Sequence, residues 1–271
     1  MALRDHLTRR RVLVGGAATI AAVGAIDAFA IEPAWLDVQR IRHPIEGLPS
    51  GLEGFTIAQI TDAHLTELGR VEEGVLAAIR SASPQLVVLT GDMIDSDDHT
   101  EALAELCAEL ARTGATMLAT LGNWEHWGKV DRASLERTYR ESNTQLLVDG
   151  WARAHGISVY ASDDSTGGTP AKLSTPDASG PHVLLTHSPA FVDREHPEAA
   201  FDLCLAGHTH GGQITLGGLA PVTPPGSGSY VAGWYATRLG PMYVSRGTGT
   251  SIVPARFTCR PELPLIELVR G

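Results

Sequence analysis

Cysteine is scarce in this 271-residue chain: there are three, Cys107, Cys204 and Cys259, odd in number and far apart. That spacing excludes a disulfide framework and a thiolate zinc cluster, and leaves core thiols as the expectation. Basic charge is also short. Against 31 acidic side chains stand 21 lysines and arginines, for a net charge of −10 at pH 7. A protein that grips polyanions normally presents a basic face. No Lys/Arg cluster longer than a dipeptide follows the first 30 residues, so no nucleic acid is expected as a partner. No G-x-S-x-G elbow occurs either, which argues against a serine hydrolase although Ser188, Ser245 and Thr248 lie near strand ends. There are no internal repeats.

Long apolar runs are nearly absent. The best candidate, Val12 to Ala30, is 19 residues long but is weakened by Asp27 and by many glycines and alanines. It follows Arg9, Arg10 and Arg11 and closes with Ala28-Phe29-Ala30, an A-x-A-like cleavage site. The segment reads as a secretion signal, and its arginines followed by Val12-Leu13 resemble a bacterial twin-arginine address, which exports proteins already folded. Retention as a membrane anchor is the alternative. Removing residues 1–30 makes the remainder more acidic still, because they carry four arginines and two aspartates.

What is present is a globular composition, 43% hydrophobic and 19% charged, enough for one large domain with a sizeable core. Between Phe55 and Gly150, the short β-rich runs "FTIAQI", "LVVLT" and "TMLATL" alternate with "RVEEGVLAAIRSA" and "TEALAELCAELART", whose apolar residues recur at helical spacing. The second half offers strands at "ISVYAS", "HVLLTH", "FDLCLAG", "MYVSRG" and "LPLIELV", which predict a second sheet. Long loops are expected at 162–181 and 217–229. The expected fold class is α/β, two layers of strand covered by helices.

The polar residues fall at the strand ends. Asp62 and His64 follow the first run, Asp92 the second, Asn123 the third, His187 "HVLLT", and His208 and His210 "FDLCLAG". In open α/β sheets the crevice beyond the carboxyl ends of strands is where sites form, so residues spread over almost 150 positions can converge there. On extended backbone the i, i+2 pairs Asp62/His64 and His208/His210 would each place both side chains on one face, able to grip one ion. Gly207, Gly211 and Gly212 would let the chain turn tightly beside them. Singly, an aspartate after a strand is more often a cap, and a histidine there more often a hydrogen-bonded structural group. Five strand ends in series make a metal site the better explanation. Imidazole, carboxylate and amide oxygen without thiolate suit Mn, Fe or Zn.

Read in order, "ITDAHL", "LTGDMID", "LGNWE", "LTHSP" and "LAGHTHGGQ" resemble the five signature motifs of the calcineurin-like metallophosphoesterases. The run from "IEPAWLDV" to "YVSRGTGTS" and "RPELPLIELV" further resembles a bacterial subgroup of exported or membrane-associated phosphodiesterases. The resemblance implies a four-layer αββα sandwich carrying a dinuclear centre. Asp62, His64 and His210 would hold one ion, Asn123, His187 and His208 the other, and Asp92 would bridge them. Two cations clamp a phosphoryl group, lower the pKa of a bound water and stabilise the attacking and leaving oxygens of an in-line displacement. The implied organisation is a leader or anchor over 1–30, a lead-in over 31–54 and a catalytic domain over 55–271. It would be a monomer, exported by the twin-arginine machinery to the periplasm or cell envelope, associated there with the membrane, and acting on an envelope phosphodiester, a lipid head group or a nucleotide-linked precursor.

The sequence departs from the family at one place. After the "GN" step most members carry a histidine thought to protonate the leaving group, and here it is Trp124. His126 could take over the acid role or orient substrate; a surface histidine beside aromatic packing is the other reading. A metal-binding scaffold that has lost catalysis is the alternative function, resting on Trp124 alone. Arg246 in "VSRGTG" is expected to pair with a carboxylate rather than with a phosphate.

Overall fold

The computed structural model describes residues 9–173, 180–194 and 200–271. Helix α1 (Arg9–Ile26) leads through one wide turn (Asp27–Ile31) into strand β1 (Asp37–Ile45). There follow β2 (Thr56–Ile60), α2 (Arg70–Ala82), β3 (Leu86–Thr90), α3 (Thr100–Ala111), β4 (Thr116–Thr120), the short α4 (Asn123–Trp127), α5 (Arg132–Glu141) and β5 (Thr144–Leu146). The second half holds β6 (Gly150–Ala154), β7 (Ile157–Ala161), β8 (His182–Leu185), β9 (Leu203–Ala206), β10 (Gly233–Thr237), β11 (Gly240–Val244) and β12 (Glu262–Arg270).

Two six-stranded mixed sheets result, ordered β1-β12-β2-β3-β4-β5 and β10-β11-β9-β8-β7-β6. Strands β2 to β5 run parallel, as do β7, β8, β9 and β11, so their carboxyl ends share one edge of each sheet. Period-two alternation explains the layering. On β3, Leu86 and Val88 face the second sheet and join Val183, Leu205 and Ile266 in the core between the sheets. Val87 and Leu89 face the other way, onto Leu76 and Ile79 of α2 and Leu103, Leu106 and Leu110 of α3. A strand buried on both faces must be apolar throughout, which is why "LVVLT" reads as a continuous run. The outer face of the second sheet is covered by Phe191 and Val192 of the turn Pro189–Asp193 and by the loop residues Tyr230 and Leu239.

Three expectations change. "LPLIELV" does not join the second sheet: β12 lies in the first, parallel to β1 and antiparallel to β2. Its residues alternate between two cores, Leu263 and Leu265 on one side and Ile266 and Leu268 on the other. The segment 31–54, expected as a lead-in, carries β1, the edge of that sheet. The i, i+2 pairs are not on extended backbone. Asp62, His64, His208 and His210 have φ of 53°, 45°, 72° and 49°, because the chain turns sharply once it leaves each strand.

The N-terminal segment packs on the domain. The buried Glu32 carboxylate accepts from the amides of Thr258 and Cys259, and the Arg256 amide donates to the Ala28 carbonyl oxygen at 2.9 Å. The cleavage-like Ala28-Phe29-Ala30 therefore sits in a docked helical turn. Among the described residues no helix is long and apolar enough to cross a membrane. All three cysteines are buried and unpaired. Of the loop expected at 162–181, residues 174–179 lie outside the described residues.

Candidate metal centre

The carboxyl ends of β2, β3, β4, β8 and β9 bring Asp62, His64, Asp92, Asn123, His187, His208 and His210 to one place, six of them buried outright. Asp62, Asp92, His64, His208 and His210 sit in the left-handed region, a conformation that costs of order 1–3 kcal/mol per residue and persists only where the surroundings impose it. The surroundings are a lattice of backbone hydrogen bonds between turns. The amides of Asp62 and His64 donate to the carbonyls of Gly91 and Asp92, each at 3.0 Å, and Gly249 donates to the Asp62 carbonyl at 2.8 Å. The His208 amide donates to the Asp62 carboxylate at 2.9 Å. A Cβ at Gly122 would strike Asp92, so only glycine lets these turns close.

Two groups form. The ligand atoms of Asp62, His64 and His210 lie within 4.8 Å of one another, and so do those of Asp92, His187 and His208. The i, i+2 histidines His208 and His210 thus fall in different groups, contrary to the spacing argument. The Asn123 amide oxygen stands 3.1 Å from His187 Nε2. Asp92 Oδ2 lies 3.0 Å from His187 Nε2 and 3.9 Å from His64 Nε2, and so faces both groups.

Three ring orientations are fixed from outside, since a carbonyl or carboxylate oxygen only accepts. His187 Nδ1 donates to the Thr90 carbonyl at 2.9 Å, His208 Nε2 to the Pro225 carbonyl at 2.7 Å, and His64 Nδ1 to the Asp95 carboxylate at 2.6 Å. Their other nitrogens point inward at carboxylates and at one another: His64 Nε2 is 3.1 Å from His210 Nε2, and His208 Nδ1 is 3.2 Å from His187 Nε2. A buried cluster of lone pairs and negative charge is the environment that divalent cations neutralise, and this donor set fits Mn, Fe or Zn. Without cations the protons must compensate. Burial opposes the His187 cation, yet Asp92 and Asp62 outweigh it and hold its pKa well above the ordinary value. Burial raises Asp62, while burial and the neighbouring His64 hold His210 well below its usual range.

Several supporting residues have no role in the sequence reading, although Glu125 stands in the motif "LGNWE". Glu125, fully enclosed, accepts from the amides of Gly122, Asp92 and Met93 at 2.8, 3.0 and 2.7 Å. Burial, then the Asp92 charge, push its pKa up to about 7. Arg256 is buried completely and donates to the carbonyls of Arg246, Gly247, Gly249 and Cys259, holding the loop behind Asp62. Asp95 was quoted within "LTGDMID", a signal available but unused. Arg246 pairs with Asp37 at 2.8 Å and Glu262 at 2.5 Å, as expected for a structural arginine.

His126 lies one turn beyond Asn123 on α4. Its Nε2 is 2.7 Å from Asp163, a hydrogen bond that holds its pKa above the ordinary value. Trp124 and Trp127 instead line a cavity of about 570 Å³ that opens from Asp92, Asn123, His208 and His210.

Residues 55–212 match the family model described as calcineurin-like phosphoesterase. The Bacillus subtilis (strain 168) protein named "Uncharacterized metallophosphoesterase YkuE" is 32% identical, aligned over 97% of this chain and 98% of its own. "Phosphodiesterase YaeI" of Escherichia coli (strain K12) is 28% identical over 97% of this chain and all of its own. Among solved structures, a dimetal phosphatase from Danio rerio superposes with a TM-score of 0.45 at 14% identity, over 72% of this chain and 88% of that one. With the family model covering more than half of its length and a relative aligned almost end to end, the chain belongs to the calcineurin-like phosphoesterases.

Proposed function

We propose that this protein is a metal-dependent phosphodiesterase whose centre holds two divalent cations, Asp62, His64 and His210 on one, Asn123, His187 and His208 on the other, and Asp92 between them. The observation that carries the reading is the position of Asp92, whose Oδ2 faces both the His187 and the His64 imidazoles. When bound, such a pair of cations supplies charge stabilisation for an in-line displacement at phosphorus and makes a water nucleophilic near neutral pH. The chain's own part is preorganisation. Thr90, Pro225 and Asp95 fix the inward nitrogens of His187, His208 and His64, and Glu125 holds the Asp92 turn against the Gly122 turn.

His126 is the proton donor to the leaving alcohol in this reading, its proton kept by Asp163 until that pair opens. The pairing with Asp163 equally supports an orienting role for the loop after β7, and the choice between them is experimental. A metal-binding scaffold without turnover is the competing reading, supported by Trp124 at the position of the family acid. Hydrolysis of an aryl phosphodiester by metal-reconstituted protein separates the two: turnover that a chelator abolishes supports the enzyme, and bound metal with no turnover supports the scaffold.

The reading takes the protein as a monomer with 1–30 as a twin-arginine-type leader or anchor, and a catalytic unit of 55–271 completed by β1 from the segment 31–54. It puts the enzyme outside the cytoplasmic membrane, in the periplasm or cell envelope. The substrate is an envelope phosphodiester, lipid-linked or nucleotide-linked.

A further inference from the structure

The cavity beside the metal centre carries chemistry that narrows the substrate. Its floor is Asp92, Asn123, His208 and His210, and its walls include Trp124, Trp127, Ile214, Val222, Ile252 and Val253. Among the described residues no lysine or arginine lines it, and the ionisable side chains that do line it belong to the candidate centre. A nucleotide or a second phosphate would enter without a cation to meet it, whereas an apolar chain would exchange water for apolar wall. At about 570 Å³ the cavity is of ordinary ligand size.

Two of the lining residues, Ile252 and Val222, are 91% and 74% exposed. In the loop between Ile214 and Val222, which both line the cavity, Leu219 is 76% exposed and stands beside Leu216 through a short bridge. Exposed apolar side chains grouped around a site mark contact with something apolar. The same wall fixes the N-terminal segment. Phe257 donates its amide to the carbonyl of Gln213, which lines the cavity, and its carbonyl accepts from the Thr215 amide, while its neighbours Arg256 and Thr258 bind Ala28 and Glu32. Helix α1 therefore ends at the segment docked on this wall, and its Ile20, Val23 and Ile26 are exposed, as is Phe29 after it. Two groups of exposed apolar side chains are thus linked through one piece of backbone. A lipid bilayer is a partner that suits each, in the manner of interfacial apolar side chains.

We propose that the substrate is a phosphoester carried by a membrane lipid, its apolar chain lying in the Trp124–Trp127 cavity while the Leu216–Val222 and Ile252 rim rests on the bilayer. This rests on the phosphoesterase reading above. With a net charge of −10, attraction to the bilayer is apolar rather than electrostatic, so it does not depend on anionic lipid or low salt.

The test uses the full-length, metal-reconstituted protein and the methyl, octyl and thymidine esters of 4-nitrophenyl phosphate, which share a leaving group. The octyl ester, below its micellar concentration, has a kcat/KM at least about tenfold above the methyl ester, carried by KM. The thymidine ester is no better than the methyl. Val222→Asp with Ile252→Asp brings the octyl-to-methyl ratio toward one. In a second arm that needs no turnover, the protein floats with phosphatidylcholine vesicles equally at about 0.1 and 1 M salt, and Leu216→Asp with Leu219→Asp reduces that binding. A ratio of one in the wild type, a preference for the thymidine ester, or unchanged flotation of the rim variant overturns the inference while leaving a phosphoesterase. If no ester is cleaved with any metal the phosphoesterase reading itself falls, and the vesicle arm still reports on the rim.

Discussion

A single enclosed carboxylate, Glu125, ties the turn that carries Asp92 to the turn that carries Asn123, through three backbone amides. Glutamine at this position keeps the shape but presents an NH₂ group to amides that can only donate. Glu125→Gln is therefore expected to lose about 10–100-fold in metal affinity or turnover, the range typical of residues that orient ligands. Metal titration and kcat measured on a variant with wild-type circular dichroism check this, and unchanged affinity and rate would show that the turns hold without it. His126 calls for a different readout. If it gives a proton to the leaving group, His126→Ala slows an alkyl phosphodiester by roughly 10²-fold or more and an aryl ester much less. Equal losses on both would make it an orienting residue through Asp163, and no loss on either would make it a surface histidine. The metal-type residues were legible because donors at successive strand ends are rare by chance. Arg256 was not, since its worth lies in contacts with backbone that no local pattern records; of the Glu125 contacts only the one to Gly122, at the spacing of a helix cap, is local, and those to Asp92 and Met93 are not.

At the level of elements, the parallel strands and helices α2 and α3 follow directly from periodicity, and α2 spans the residues quoted for it. Strand β12 was recognised as a strand but assigned to the wrong sheet. A strand buried on both faces looks the same from either sheet, and only its pairing with β1 decides. The left-handed turns after β2 and β9 were likewise missed, because Asp and His, though enriched among non-glycine residues at positive φ, adopt it only in a minority of cases. Helix α1 begins with the three arginines that motivate the export reading. Replacing Arg9, Arg10 and Arg11 with lysine keeps the charge but removes the guanidinium pair, and is expected to leave precursor in the cytoplasm. Fractionation and immunoblotting measure this, and export at the wild-type level would point to a general secretory signal.

Across the whole molecule, two sheets face one another over a core that includes Leu86, Val88, Leu205 and Ile266, and their strand ends meet at one edge. This convergence places together side chains from Asp62 to His210 without long-range design beyond the sheets themselves. Asp92 is the residue on which the dinuclear account depends, since its Oδ2 lies 3.0 Å from His187 Nε2 in one group and 3.9 Å from His64 Nε2 in the other. The direct measurement is metal content and turnover of Asp92→Ala beside the wild type, each reconstituted with the same divalent ion and assayed on an aryl phosphodiester. The account predicts two ions per wild-type chain, with activity abolished and bound metal reduced in the variant. Wild-type turnover with two ions per chain in Asp92→Ala would contradict it.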